Sequence, residues 1–182
     1  MHNIEQLRNA DDPRINSYRN PRWNRQPDTK TRDFIVEGRY CVERLLQSDY
    51  DVQSVLVAEG KSLEILEHRN EVVPVYSLTP AEIRKLVGFD FHRGIMACAK
   101  RPVFESMSVF EQEIIHPEIT IALLGLRERE NVGSIMRTAA ALGVERILLG
   151  PHTADPFARR TIRVSMGTVF RLKLYDLSVP VT

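Results

Sequence analysis

Three stretches of this 182-residue chain set side chains that can hold or polarise a ligand at useful spacing. In GLRERENVGS, Gly125 to Ser134, a charged turn leads into a helical pattern that Asn131 opens. Gly133, Ser134 and the unpaired amides of a helix start make a ready phosphate or anion site. Arg137 follows about one turn beyond Gly133, on the face of Ser134 and away from the apolar stripe. In RVSMGT, Arg163 to Thr168, Ser165 and Gly167 set small groups beside a cation. In RNPRWNRQPDTKTR, Arg22, Arg25 and further cations alternate with Trp23 around a single acid, Asp28. That pattern suits an arm whose cations meet phosphates while the indole stacks on a base. Each stretch has a plainer reading on its residues alone. Gly133 and Asn131 serve turn geometry in many α/β domains, an exposed helix arginine is commonly just solvated, and a charged terminus is commonly loose.

The elements that must position these groups follow from hydrophobic pattern. Ile119 to Leu126 is an apolar, β-rich run without alternation, which predicts a strand buried on both faces. Val132, Ile135, Met136, Ala139 and Ala140 then recur at the spacing of one buried helix face. Gly143 suits the left-handed position that ends a helix, and Ile147 to Leu149 supplies the next strand. The loop from Arg127 to Ser134 therefore lies at the carboxyl end of the first strand, where open α/β sheets place ligands. Beyond Gly150, Asp155 and Pro156 read as cap and first-turn proline of a helix running to Met166. That helix sets Arg159, Arg160 and Arg163 on adjoining faces. Gly167 ends it, and Val169 to Leu174 reads as a third strand. Residues 119–182 thus form a β-α-β-α-β domain whose default is a parallel sheet with right-handed crossovers.

Upstream, residues 33–102 alternate helices and strands. Glu37 to Gln47 buries Val42, Leu45 and Leu46; Val52 to Ala58 and Val72 to Tyr76 are strands, with a short helix at Ser62 to Arg69 between them. Thr79, Pro80 and Glu82 sign the start of a helix to Val87, and Ile95 to Ala99 is a further strand. No nucleophile or phosphate loop falls here, so by elimination this is a binding domain. Residues 103–118 read as a linker with a helical segment, and residues 1–32 as a basic, partly ordered extension.

Composition narrows the classes further. The chain is 43% hydrophobic and has no apolar run of membrane-spanning length or signal-peptide pattern, so a cytoplasmic protein without a membrane partner is expected. Cys41 and Cys98 lack CxxC spacing and fit two reduced thiols. The five histidines show no metal-ligand spacing, so no metal is expected. Residues 1–32 carry seven Lys or Arg against four acids, residues 33–118 nine against fifteen, and residues 119–182 nine against five. Basic ends around an acidic middle suit a polyanionic partner.

NVGSIMRTAAALGV followed by a short strand resembles the first motif of the SpoU (TrmH-like) branch of SPOUT RNA methyltransferases, and RVSMGTVF resembles the segment that follows it. FIVEGRYCVERLL and FHRGIMA are similar to the ribosomal-protein-like RNA-binding domain that precedes the catalytic domain in many members. The resemblance spans about Phe34 to Tyr175. It implies a small α/β RNA-binding domain followed by the first half of a SPOUT α/β-knot domain, with a parallel sheet. It implies methyl transfer from S-adenosylmethionine to a ribose 2′-hydroxyl of rRNA or tRNA, and homodimers. Asn131 and Arg137 would then be catalytic, at the substrate side, with Arg159, Arg160, Arg163 and Ser165 along the RNA.

Two departures bear on these expectations. Arg127-Glu128-Arg129-Glu130 stands where members show an aspartate and a proline. Seven residues follow Tyr175, whereas the family's knot segments would need on the order of 60 at ~30 per strand-helix unit. The expectation is a chain without a cofactor-binding residue of its own, inactive alone. A non-enzymatic RNA-binding module is the alternative.

Overall fold

The computed structural model describes residues 4–19, 33–61, 64, 72–89, 91–113 and 119–177. They fall into two compact units, dividing between Arg101 and Pro102.

In the first unit, strands β1 (Ile4–Gln6), β2 (Asp33–Glu37), β3 (Val52–Ala58), β4 (Val75–Leu78) and β5 (Ile95–Lys100) form a mixed sheet. Its order is β1-β4-β3-β5-β2. β5 runs antiparallel to both β2 and β3, whereas β4 is parallel to β3 and β1. Helix α1 (Arg39–Leu46) buries Cys41, Val42, Leu45 and Leu46. Helix α2 (Pro80–Val87) starts as its residues dictate, the Thr79 hydroxyl accepting from the Glu82 amide at 3.3 Å.

The extension read over residues 1–32 gives way across 4–18. β1 joins the sheet, a 3-10 helix covers Pro13–Tyr18, and Leu7, Ala10, Ile15 and Tyr18 sit in the core with Leu56 and Met96. Buried Tyr18 donates to the Ser54 carbonyl at 3.0 Å, so its hydroxyl is satisfied. Arg14 pairs with Asp12 and Glu5 and lies 5.5 Å over the Tyr76 ring, holding the segment down. Few large apolar residues sufficed because each is almost wholly buried. The expected strand at Val72 to Tyr76 begins at Val75 instead, after Pro74, and the expected helix at Ser62 to Arg69 lies outside the described residues save Glu64. Both cysteines are buried free thiols.

In the second unit, β6 (Glu105–Ser106), β7 (Thr120–Leu123), β8 (Arg146–Leu149) and β9 (Lys173–Asp176) form a sheet in the order β6-β9-β8-β7, every pair parallel. The segment read as a linker belongs to this sheet. β6 pairs with β9, and helix α3 (Met107–Glu113) buries Phe110 edge-on to Tyr175, ring centroids 5.1 Å apart. Lys173 and the Tyr175 hydroxyl both donate to Glu113, at 3.0 and 2.7 Å. Helices α4 (Arg129–Ala141) and α5 (Arg159–Val164) make the two crossovers.

β7, expected to be a strand buried on both faces, is not one. It is an edge of the described sheet, where only Leu123 is fully buried, and the flanking Ile119 and Leu124 are 76% and 64% exposed. The predicted third strand is split. A left-handed Gly167 leads into a 3-10 helix at Thr168–Arg171, which spends Val169 and Phe170 on the core, and only then does β9 begin. No helix among the described residues is long and apolar enough to cross a membrane.

Candidate functional site

The carboxyl ends of β7 and β8 carry the loops that lead into α4 and α5. Four hydrogen bonds stitch these loops together. Gly150 donates to the Leu123 carbonyl at 2.9 Å, Gly125 to that of Pro151 at 3.1 Å, and Ala154 to that of Leu126 at 2.8 Å. The Thr153 hydroxyl also donates to the Leu123 carbonyl, at 2.7 Å. Gly125 is left-handed with φ of 63°, which lets the chain leave β7 and turn back.

Helix α4 begins two residues earlier than its apolar stripe announced. Glu128 occupies the cap position without a side-chain bond, and Asn131 already lies in the first turn. Val132, Met136 and Ala139 are buried, while Asn131, Ser134 and Arg137 are exposed. Six residues separate Asn131 from Arg137, a rise of about 9 Å. The Ser134 hydroxyl donates to the Asn131 carbonyl at 2.9 Å, and their spacing sets the three residues on the exposed side of α4.

Gly133 is not on that face. It is buried, and a Cβ there would meet the Thr161 carbonyl oxygen at 2.7 Å and Val164 Cβ at 2.9 Å. Its missing side chain lets α4 and α5 approach backbone to backbone, so close packing accounts for the glycine and the phosphate-loop reading loses it. Sequence spacing alone could not separate the two uses.

Asp155 does not cap α5. Its carboxylate accepts from the Phe157 amide at 3.0 Å, closing a local turn, and the helix starts at Arg159 behind Ala158. Arg159 and Arg163 are half-buried and Arg160 is exposed. Arg160 reaches across to Glu130 in the first turn of α4, its Nε donating at 2.7 Å. Glu130 was missed as a partner; its signal was an acid in a helix's first turn. Such exposed pairs contribute roughly 0–1 kcal/mol. Ser165, read as an RNA contact, is wholly buried and donates to the Ile162 carbonyl at 2.9 Å, which withdraws it from any ligand. Met166 and Gly167 follow with φ of 58° and 77°, a pair of left-handed residues that ends α5 abruptly. Arg22, Trp23 and Arg25 lie outside the described residues.

The structure therefore gathers Asn131, Ser134 and Arg137 on α4, with Arg160 tied to its first turn. Among the described residues no His, Cys, Asp and Glu group could hold a metal ion.

Residues 118–179, which contain this site, match the SpoU rRNA Methylase family. Over that segment the chain is similar to the family. An uncharacterized tRNA/rRNA methyltransferase of Mycobacterium tuberculosis is 31% identical over 169 residues, covering 90% of this chain and 57% of the relative. A Bacillus subtilis 23S rRNA guanosine 2′-O-methyltransferase is 23% identical across 97% of this chain and 67% of its own length. Among solved structures, an rRNA methyltransferase of Sinorhizobium meliloti superposes with a TM-score of 0.72 at 21% identity, covering 97% of this chain and 66% of that one. A second structure of that Sinorhizobium enzyme is described as AdoMet-bound. The chain therefore spans a little over half the length of the mycobacterial relative, and its mixed α/β architecture with a parallel sheet is the fold of these methyltransferase structures.

Proposed function

We propose that the protein is an RNA 2′-O-methyltransferase, acting on rRNA or tRNA, and that the outward face of α4 holds the target nucleotide. The observation that carries the reading is the exposed set Asn131, Ser134 and Arg137 on the helix that follows β7, inside the segment matching the SpoU family. Arg137 grips the phosphate beside the target ribose and stabilises negative charge on the 2′-oxygen as it loses its proton. A guanidinium is a poor general base near neutral pH, so the arginine acts by charge rather than by accepting the proton. Asn131 orients the ribose, and most of the acceleration comes from positioning. Arg159, Arg160 and Arg163 extend the phosphate track.

S-adenosylmethionine, when bound, supplies the methyl group. No described residue is assigned to it. Calorimetry showing micromolar binding of S-adenosylmethionine to this chain would overturn that assignment.

The decisive experiment is single-turnover methyl transfer to RNA by the protein extended to the length of its relatives. Arg137→Ala is expected to cut the rate at least ~100-fold, the loss typical of removing one charge-stabilising donor, while RNA affinity falls only a few-fold. Equal losses in both would reduce Arg137 to a binding residue.

A further inference from the structure

The boundary between the two units falls after Arg101, and Pro102, Val103 and Phe104 separate it from β6. Val103 is 81% exposed. Phe104 is half-buried instead, and its ring stacks on that of Phe157, centroids 5.9 Å apart and planes 18° from parallel. Phe157 is buried, in the loop between β8 and α5. Both rings belong to the second unit. A chain that merely passed from one unit to the next would need no packed aromatic ring, since the reach and stiffness of a linker come from small, polar or proline residues.

The loop that receives the ring is tied directly to α5. The Asp155 carboxylate accepts from the Phe157 amide at 3.0 Å. The Asp155 carbonyl accepts from the Ala158 amide at 3.2 Å and from the Thr161 hydroxyl at 2.9 Å. Residues 155–161 are thus held together across the start of the helix, with Ala158 at its cap and Arg159 as its first residue. Arg160 carries the connection to α4 through Glu130. Phe104 is therefore linked, contact by contact, to the cations of α5 and to the helix that bears Arg137.

Offset rings at this separation attract beyond the apolar area they cover, and they fix relative orientation as well as distance. We infer that Phe104 is a positioning residue: by stacking on Phe157, the stretch that enters the second unit sets the β8–α5 loop, and with it the stance of Arg160 toward an RNA phosphate. The role rests on the RNA reading of the α4 and α5 cations, which supplies its ligand. It gives the crossing between the units a task besides connection, because a displacement of residues 102–104 is passed to the charges that hold RNA. Phe104 itself touches neither RNA nor a reacting atom.

The test combines amide exchange in the whole chain with salt titration of its binding to a labelled RNA hairpin. In α5 the Ile162 and Ser165 amides donate to the Ala158 and Thr161 carbonyls at 3.0 and 2.9 Å. Phe104→Ala should speed exchange at both roughly tenfold, the effect of one lost aromatic pair. It should also lower the slope of log affinity against log salt by about one, the share of one phosphate contact. Arg160→Gln should lower the slope equally, and the double variant no further. Phe104→Tyr keeps the ring and should restore both readings. Tyr175→Phe removes the hydroxyl that donates to Glu113, so it should loosen α3 while leaving Ile162 and Ser165 protected. Unchanged exchange at those two amides in Phe104→Ala would overturn the role. So would equal loosening of them by Tyr175→Phe, since any weakening of the β6 side would then do the same. If the unaltered chain binds no RNA, this role and the RNA reading fail together. If it binds RNA and Phe104→Ala matches it at every salt concentration, only this role fails.

Discussion

The two sheets are buried to different depths. In the first unit β3 buries six of its seven residues and β5 five of six. In the second, β7 buries one of four, and β8 and β9 two of four each. All-parallel sheets are ordinarily the more deeply covered kind, yet here the mixed sheet is the closed one. The cause is local. Residues 4–18, α1 and α2 supply apolar side chains to the first sheet's core, whereas β7 is an edge with exposed neighbours. The second leaves exposed the helix face on which its chemistry is proposed.

The contrast is sharpest in core truncations. Leu56→Ala, at a wholly buried position of β3, should destabilise the first unit by about 3 kcal/mol. Ile121→Ala, half-buried in β7, should cost the second unit only about 1 kcal/mol. Urea unfolding followed by amide exchange in each unit measures both, and equal costs would remove the distinction. Gly133→Ala tests whether the second unit is nonetheless tightly built at one point. The clash with the Thr161 carbonyl should cost about 1–3 kcal/mol and lower methyl transfer by displacing α4. Gly60→Ala, with open space around it but φ of 78°, is the control and should cost about 1 kcal/mol through backbone strain alone. A smaller effect is expected from acid. Hydrogen bonds from Tyr175 and Lys173 hold the Glu113 carboxyl below its ordinary value. A depressed carboxylate contributes stability that is present above its unfolded value, near 4.3, and is lost as pH falls through the folded one. The stability difference between the protein and Glu113→Gln should therefore be present at neutral pH and fade below about pH 4. A difference independent of pH would mean that Glu113 holds α3 by packing rather than by charge.

Much of both units was legible because their elements announce themselves by local pattern. The apolar stripe of α4, the cap of α2 and the strand Val52–Ala58 needed only local pattern. Errors fell where one pattern serves two structures. An Asp-Pro pair caps a helix or closes a turn, and at Asp155 it closes a turn. Val169 and Phe170 suit a strand but lie in a 3-10 helix. A helix's first turn needs no apolar residue, so Arg129 and Glu130 looked like loop. The core residues of 4–18 follow no period, because a short strand and a 3-10 helix bury them singly. At the candidate site the sequence located Ser134 and Arg137 on one face but could not distinguish Gly133 as a packing contact from Gly133 as an anion loop. Nor could it pair Arg160 with Glu130, thirty residues apart.

The pairing of β6 with β9 has a consequence for how the protein is made. The last strand of the first sheet ends at Lys100, so that sheet can assemble soon after residue 100 leaves the ribosome. β6 is translated almost at once afterwards, but its partner is Tyr175 and Asp176. At roughly 5–20 residues per second, those residues arrive several seconds later. Until then β6 and α3 wait without that partner, and the parallel sheet closes last, by the longest loop within its own unit.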